Sequence, residues 1–199
     1  MTKSFQLVAG HPTLDLINTL DWRFRSSGPE ELLSSYTELL RFAEQSAVLT
    51  PRQARHLRRI APVSVAAQTM RLATGLREAA AATIYALVDD RKPPQDAIKK
   101  LDWHLRAAQA SRTLRWADRG LQIDWAANSD LRIPVWRLAE LTAELLTGST
   151  AASIHACAAP QCRWLFLDTS KNHSRRWCDM KICGNRMKAR RFKAQHKAE

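Results

Sequence analysis

Apolar positions recur at helical spacing through most of the first 150 residues. Leu14, Ile17, Leu20 and Phe24 share one face and predict a helix after Gly10 and Pro12, with Thr13 placed to cap it. Before it, residues 5–8 predict a short strand, although their alternation is poor. Ser26, Ser27, Gly28 and Pro29 read as a loop by composition. Leu32, Leu33, Tyr36, Leu39, Leu40 and Ala43 then outline the next amphipathic helix. Thr50 followed by Pro51 is a helix start, a side-chain cap before a proline at the first helical position. The helix that follows carries Arg52, Arg55, Arg58 and Arg59 and ends near Pro62.

A longer helix comes next, with Met70, Ala73, Leu76, Ala80, Thr83, Ile84 and Leu87 on one face, broken by Pro93 and Pro94. Ala97, Leu101, His104, Leu105 and Ala108 mark another. The period then changes from helical to two. Leu114 and Trp116 alternate, Asp118, Arg119 and Gly120 supply a turn, and Leu121, Ile123 and Trp125 alternate on the return, which predicts a β-hairpin. A helix over 134–146 closes the domain at Gly148, a C-cap, and Gly148, Ser149 and Thr150 form the candidate linker. Trp22, Trp103, Trp116, Trp125 and Trp136 lie near apolar-periodic positions and are expected in the core. The architecture is thus mainly α with a small β-hairpin, an α+β N-terminal domain over residues 1–148 followed by a small module over 149–199.

Composition separates the two parts. Residues 1–150 hold 20 Lys and Arg against 16 Asp and Glu, whereas residues 151–199 hold 11 against 3. A local excess of +8 suits a polyanion, nucleic acid before an anionic membrane, or serves solubility alone. No segment approaches the roughly 20 apolar residues of a membrane span, so no membrane role is expected.

All four cysteines fall in the small module, as C-x4-C-x15-C-x4-C at Cys157, Cys162, Cys178 and Cys183. Two close pairs separated by a short stretch suit one tetrahedral Zn²⁺, and a shell of four thiolates is structural. Two disulfides would need an oxidising compartment, and the first residues show no charged segment leading into an apolar run. A cytoplasmic location is expected. His155 and His173 are polar neighbours of a shell already full. Trp164 and Trp177 flank the cysteines and are expected to pack the module's core, with base stacking the alternative.

Residues 163–167 and 174–177 can pair as a hairpin around 168–172. Asp179 then caps a helix over about 180–197, with Cys183 near its first turn. A metal that ties a hairpin to a helix N-terminus is a treble-clef-like finger. Arg186, Arg190, Lys193 and Lys197 follow at steps of four, three and four and form one stripe. Lys188 and Arg191 point elsewhere, and Ala189 with Phe192 forms a narrow apolar strip able to pack back onto the finger. With Arg175 and Arg176 of the hairpin, these cations are the candidate nucleic-acid contacts. Asn185 is expected to brace the knuckle, and Arg186 is open between bracing and phosphate contact.

Cys183-Gly184-Asn185-Arg186, preceded by Trp177-Cys178 and followed by Met187-Lys188-Ala189-Arg190-Arg191, resembles the CGNR zinc finger. The run from Leu7 through Gly10-His11-Pro12-Thr13-Leu14-Asp15 to Asn18-Thr19 is similar to the opening of the ABATE domain that accompanies this finger in bacterial proteins. The resemblance implies zinc on the four cysteines and a stress-induced transcription regulator, nucleoid-associated when on DNA. Within that opening, His11, Asp15 and Asn18 share a face and are candidates for binding a small-molecule effector; the favoured alternative has Asp15 and Asn18 satisfying backbone groups of the Gly10-His11-Pro12 turn.

Enzyme chemistry finds little support. There is no phosphate-cradling glycine loop, no G-x-S-x-G, no H-E-x-x-H, and no open zinc position. The reading from sequence is a DNA-binding regulator with a sensing or homodimerising N-terminal domain. The alternatives are a zinc-stabilised protein–protein adaptor and an RNA-binding protein.

Overall fold

The computed structural model describes residues 4–195. The helical part is built from α1 (Pro12–Asn18), α2 (Tyr36–Gln45), α3 (Pro51–Ile60), α4 (Val63–Val88), α5 (Gln95–Ala110) and α6 (Ile133–Thr147). Three antiparallel two-stranded ribbons interrupt or extend it: β1 (Leu20–Asp21) with β2 (Glu30–Glu31), β3 (Arg112–Ala117) with β4 (Gly120–Trp125), and β5 (Ile154–Ala156) with β6 (Leu165–Leu167). A single wide helical turn, Met180–Gly184, leads into α7 (Asn185–Gln195).

Local chemistry explains most boundaries. Ser35 caps α2 by accepting from the Glu38 N–H at 3.3 Å. At α3, Thr50 Oγ1 accepts from the Gln53 N–H while Gln53 Oε1 accepts from the Thr50 N–H. Such a reciprocal cap is worth about 1 kcal/mol.

The first helix is shorter than its apolar spacing predicts. Its cap is His11, whose Nδ1 accepts from the Thr13 N–H, and it stops at Asn18. There the Thr19 hydroxyl donates back to Leu16 O at 2.6 Å, and the chain turns into the bridge Leu20↔Glu31. The buried Arg77 guanidinium pins this corner through Glu31, Glu78 and the Thr19 hydroxyl. Residues 5–8 form no strand either: Phe5 donates its N–H to Gln45 Oε1 and sets its ring edge-on to Phe42.

Two cores form. One gathers Leu39, Phe42, Leu49, Leu57, Leu76, Trp125 and Leu138 between α2, α3, α4 and α6. The other joins Leu14, Ile17, Ala80, Ile84 and Leu145 of the helical part to Ile154, Trp164, Leu165, Phe166 and all four cysteines. Residues of both parts thus meet in this second core. Gly148 donates its N–H to Glu144 O, and a 3-10 turn over Ser149–Ser153 leads straight into β5.

Of the tryptophans expected inside, Trp125 and Trp136 are buried and stacked at 5.4 Å. Trp103 and Trp116 are 55% and 73% exposed. The expected hairpin forms, with Leu114 opposite Ile123 and Trp116 opposite Leu121; Gly120 joins β4 instead of the turn, and the apolar face points outward.

Candidate metal centre and cationic helix

Cys157 and Cys162 bracket the turn between β5 and β6, and Cys178 and Cys183 bracket the Asp179-capped turn before α7. The Cys157 N–H donates to Trp164 O at 2.8 Å, and the Cys183 N–H donates to Asp179 O at 2.9 Å, so each knuckle is held by its own backbone. Asp179 Oδ1 accepts from the N–H groups of Lys181 and Ile182, as expected of a cap. Gly184 is buried where an added Cβ would lie 2.3 Å from Met180 Sδ, so any larger residue displaces that side chain.

The four Sγ atoms are buried and all lie within 4.8 Å of one another. Cys162 and Cys178 are 3.7 Å apart, and Cys178 and Cys183 are 3.6 Å apart. A tetrahedron of thiolates at about 2.3 Å from Zn²⁺ has edges of about 3.8 Å, whereas a disulfide needs about 2.05 Å. The geometry fits one metal ion and excludes the disulfide alternative.

Charge makes the same point. Hydrogen bonds from Cys162 and Cys178 favour the thiolate at Cys157, and the same contacts with Cys157, joined by burial, push the Cys162 and Cys178 thiols up. Four thiolates so close together ionise only with a cation between them. The site takes one structural zinc.

The finger's strands pair differently from the sequence expectation. β6 pairs with β5, through Ile154↔Leu167 and His155↔Phe166, and residues 168–177 form a loop. Asp168 explains it. Its buried carboxylate accepts from the Ser170 N–H and hydroxyl and from the Arg175 N–H, which curls the loop around it. The hydroxyl of Ser170 above all, with the two backbone donors, holds this carboxyl at about 2.

Arg175 departs from the cationic set. Its guanidinium donates to the carbonyls of Trp177, Leu167, Val8 and Cys178 and lies 4.3 Å from the Phe166 ring centroid. Arg175 braces the finger. Arg186 also turns inward: Nη2 donates to Cys183 Sγ at 3.4 Å, and the guanidinium covers the Trp22 ring at 4.8 Å. Asn185, expected to brace the knuckle, is exposed instead, with no side-chain hydrogen bond among the described residues.

Lys188, Arg190, Arg191 and Lys193 are exposed along α7, and Arg176 is exposed beside the Trp177 ring. Among the described residues none of these five is in an ion pair. Lys197 lies outside the described residues. Phe192 is 61% exposed, and α7 is anchored near its start, where Met187 meets the second core. Trp164 is buried and donates Nε1–H to Asp21 Oδ1, which removes it from base stacking; Trp177 is half-buried.

The opening segment docks onto the finger. Asn18 Oδ1 accepts from the Leu165 N–H at 3.0 Å and its Nδ2 donates to Leu165 O at 2.9 Å. One amide thus closes the free edge of β6. Gly10, at φ 78°, follows Ala9, whose carbonyl accepts from the Leu167 N–H at 2.8 Å. Asp15 Oδ1 accepts from the Ala9 N–H and holds that turn. His11 is spent on capping α1. In this structure Asp15 and Asn18 hydrogen-bond to backbone groups within the fold, and His11 Nδ1 caps α1.

Further bonds complete the dock, which sequence spacing could not show. The Tyr85 hydroxyl donates to Arg163 O at 3.0 Å, and Arg163 pairs with Asp89 at 2.6 Å.

A helical domain sharing its core with a buried four-thiolate finger defines a zinc-finger protein whose metal holds structure. The family model for ABATE, described as "Putative stress-induced transcription regulator", matches residues 10–149, and that for the CGNR zinc finger matches residues 154–196. The chain belongs to the ABATE family and carries a CGNR zinc finger. No curated protein matched it.

Proposed function

We propose that this chain is a DNA-binding transcription regulator whose zinc finger presents α7 to the phosphate backbone. The observation that carries the reading is the row of exposed cations on α7, Lys188, Arg190, Arg191 and Lys193, on a helix without an acidic residue. Elsewhere the molecule pairs many of its arginines, as in Arg23–Glu78, Arg77–Glu31 and Arg112–Glu140. Cations left unpaired on a metal-anchored helix suit a polyanion. The family's description as a regulator of transcription supports DNA over RNA.

In this reading Arg176 adds a contact from the finger loop, while Arg175 and Arg186 hold the finger to its domain. The helical domain is the sensing and self-associating part. The protein acts as a binding protein rather than an enzyme, in the bacterial cytoplasm at the nucleoid. Among the described residues no helix is long and apolar enough to cross a membrane.

A salt-titrated binding assay on duplex DNA tests the reading. Affinity should fall steeply with salt, and Arg190→Gln with Lys193→Gln should flatten the slope of log K against log salt by about 2. Equal, salt-insensitive binding by the double variant rules out the role given to α7. Capture of one acidic protein with no affinity for duplex DNA would make the finger an adaptor.

A further inference from the structure

The β3–β4 hairpin is firmly rooted and yet bare along its length. At its base Trp125 is fully buried, Arg112 stacks on it at 3.8 Å, and the same guanidinium pairs with Glu140 of α6 at 2.6 Å. Beyond that base, Leu114, Trp116, Leu121 and Ile123 stand on one face, 61%, 73%, 64% and 69% exposed. Two cross-strand pairs, Leu114↔Ile123 and Trp116↔Leu121, make that face continuous.

Exposed apolar side chains scattered singly are ordinary. Four large ones on one sheet face mark an interaction site.

We propose that this face is where two copies of the chain dock, hairpin against hairpin, about a two-fold axis. Area favours this occupant: the four side chains leave roughly 500 Å² open, near the upper end for patches on monomers. Two such faces together bury at most about 1,000 Å², which suits a weak, reversible interface. Charge points the same way. In a chain of net +12, the hairpin carries Arg112, Arg115 and Arg119 against Asp118 and Asp124, and Arg112 is already neutralised by Glu140. A near-neutral face neither attracts nucleic acid nor repels its own copy.

A flat face with the same residues on both sides suits an isologous contact, which closes at a dimer. The inference deepens the self-association named under the proposed function and rests on it. Oligomeric state is read without DNA, so its failure would leave the DNA reading standing.

Sedimentation equilibrium of the full, zinc-loaded chain tests the proposal. The expected result is a reversible monomer–dimer equilibrium at concentrations up to about 100 μM. The double variant Trp116→Ser, Ile123→Ser should sediment as a monomer with unchanged helix content and zinc stoichiometry, because both side chains lie outside the core. Phe192→Ser, which removes a comparably exposed ring from α7, should dimerise as the parent does. A parent that stays monomeric overturns the proposal. So do a double variant that dimerises undiminished and a parent that assembles without limit.

Discussion

Asn18 carries two hydrogen bonds that a neighbouring strand would otherwise supply to β6. Asn18→Leu keeps the side-chain volume and removes both. It leaves the buried Leu165 N–H and C=O unpaired, at about 1–3 kcal/mol each. Urea denaturation should show a loss of about 2–4 kcal/mol, and a chelator should strip zinc from the variant faster than from the parent. Unchanged stability would mean that the finger does not depend on this amide.

Asp15 carries a different signal. Burial raises its carboxyl from the ordinary 3.8 to about 6, against the pull of hydrogen bonds from the Ala9 and Val8 N–H groups. The native state then holds a proton that the unfolded chain has released, so Asp15's contribution to stability falls as pH rises through that window and is level above it. Asp15→Asn cannot titrate. The melting temperature of the parent relative to this variant should therefore drop between pH about 4 and about 6; parallel curves would contradict the assignment. His11, Asp15 and Asn18 were recognisable as one polar face from spacing alone, but not as a dock, because their partners lie at Ala9 and in a strand almost 150 residues away.

Among the elements, those marked by caps and strict periods were legible in the sequence: α3 from Thr50 and Pro51, the hairpin from its alternation, and the turn before α7 from Asp179. Those ended by tertiary contacts were not. The apolar spacing of Leu14, Ile17, Leu20 and Phe24 runs on past Asn18, and only the Arg77–Glu31 corner shows why the helix stops there. The finger's hairpin likewise forms around Cys157 and Cys162 instead of around residues 168–172, because buried Asp168 consumes the donors of that loop. On α7 the charge pattern marked side chains that are mostly exposed, Lys188, Arg190, Arg191 and Lys193, but not all of its stripe is. Arg186 lies on the same stripe as Arg190 and is drawn inward by Trp22 and the Cys183 sulfur, which sequence distance could not suggest.

Across the whole molecule, the finger and the helical domain share one core. Leu14, Ile17 and Ile84 pack with Phe166 and the zinc cysteines, and the chain passes between the parts through a 3-10 turn rather than a loose linker. The two family motifs, some 165 residues apart, thus meet at one interface: Ala9 and Asn18 from the opening, β6 and Arg175 from the finger. Zinc holds that interface together and fixes the start of α7, whose cations are the proposed DNA contacts. On that proposal metal binding and DNA affinity are linked. The most direct measurement compares duplex-DNA affinity of the full chain at one moderate salt concentration, zinc-loaded, stripped by a chelator, and reloaded. Stripping should weaken binding by about tenfold or more, equivalent to about 1.4 kcal/mol, and reloading should restore it while helix content changes little. Equal affinity with and without zinc would contradict the claim that the metal positions the DNA-binding helix.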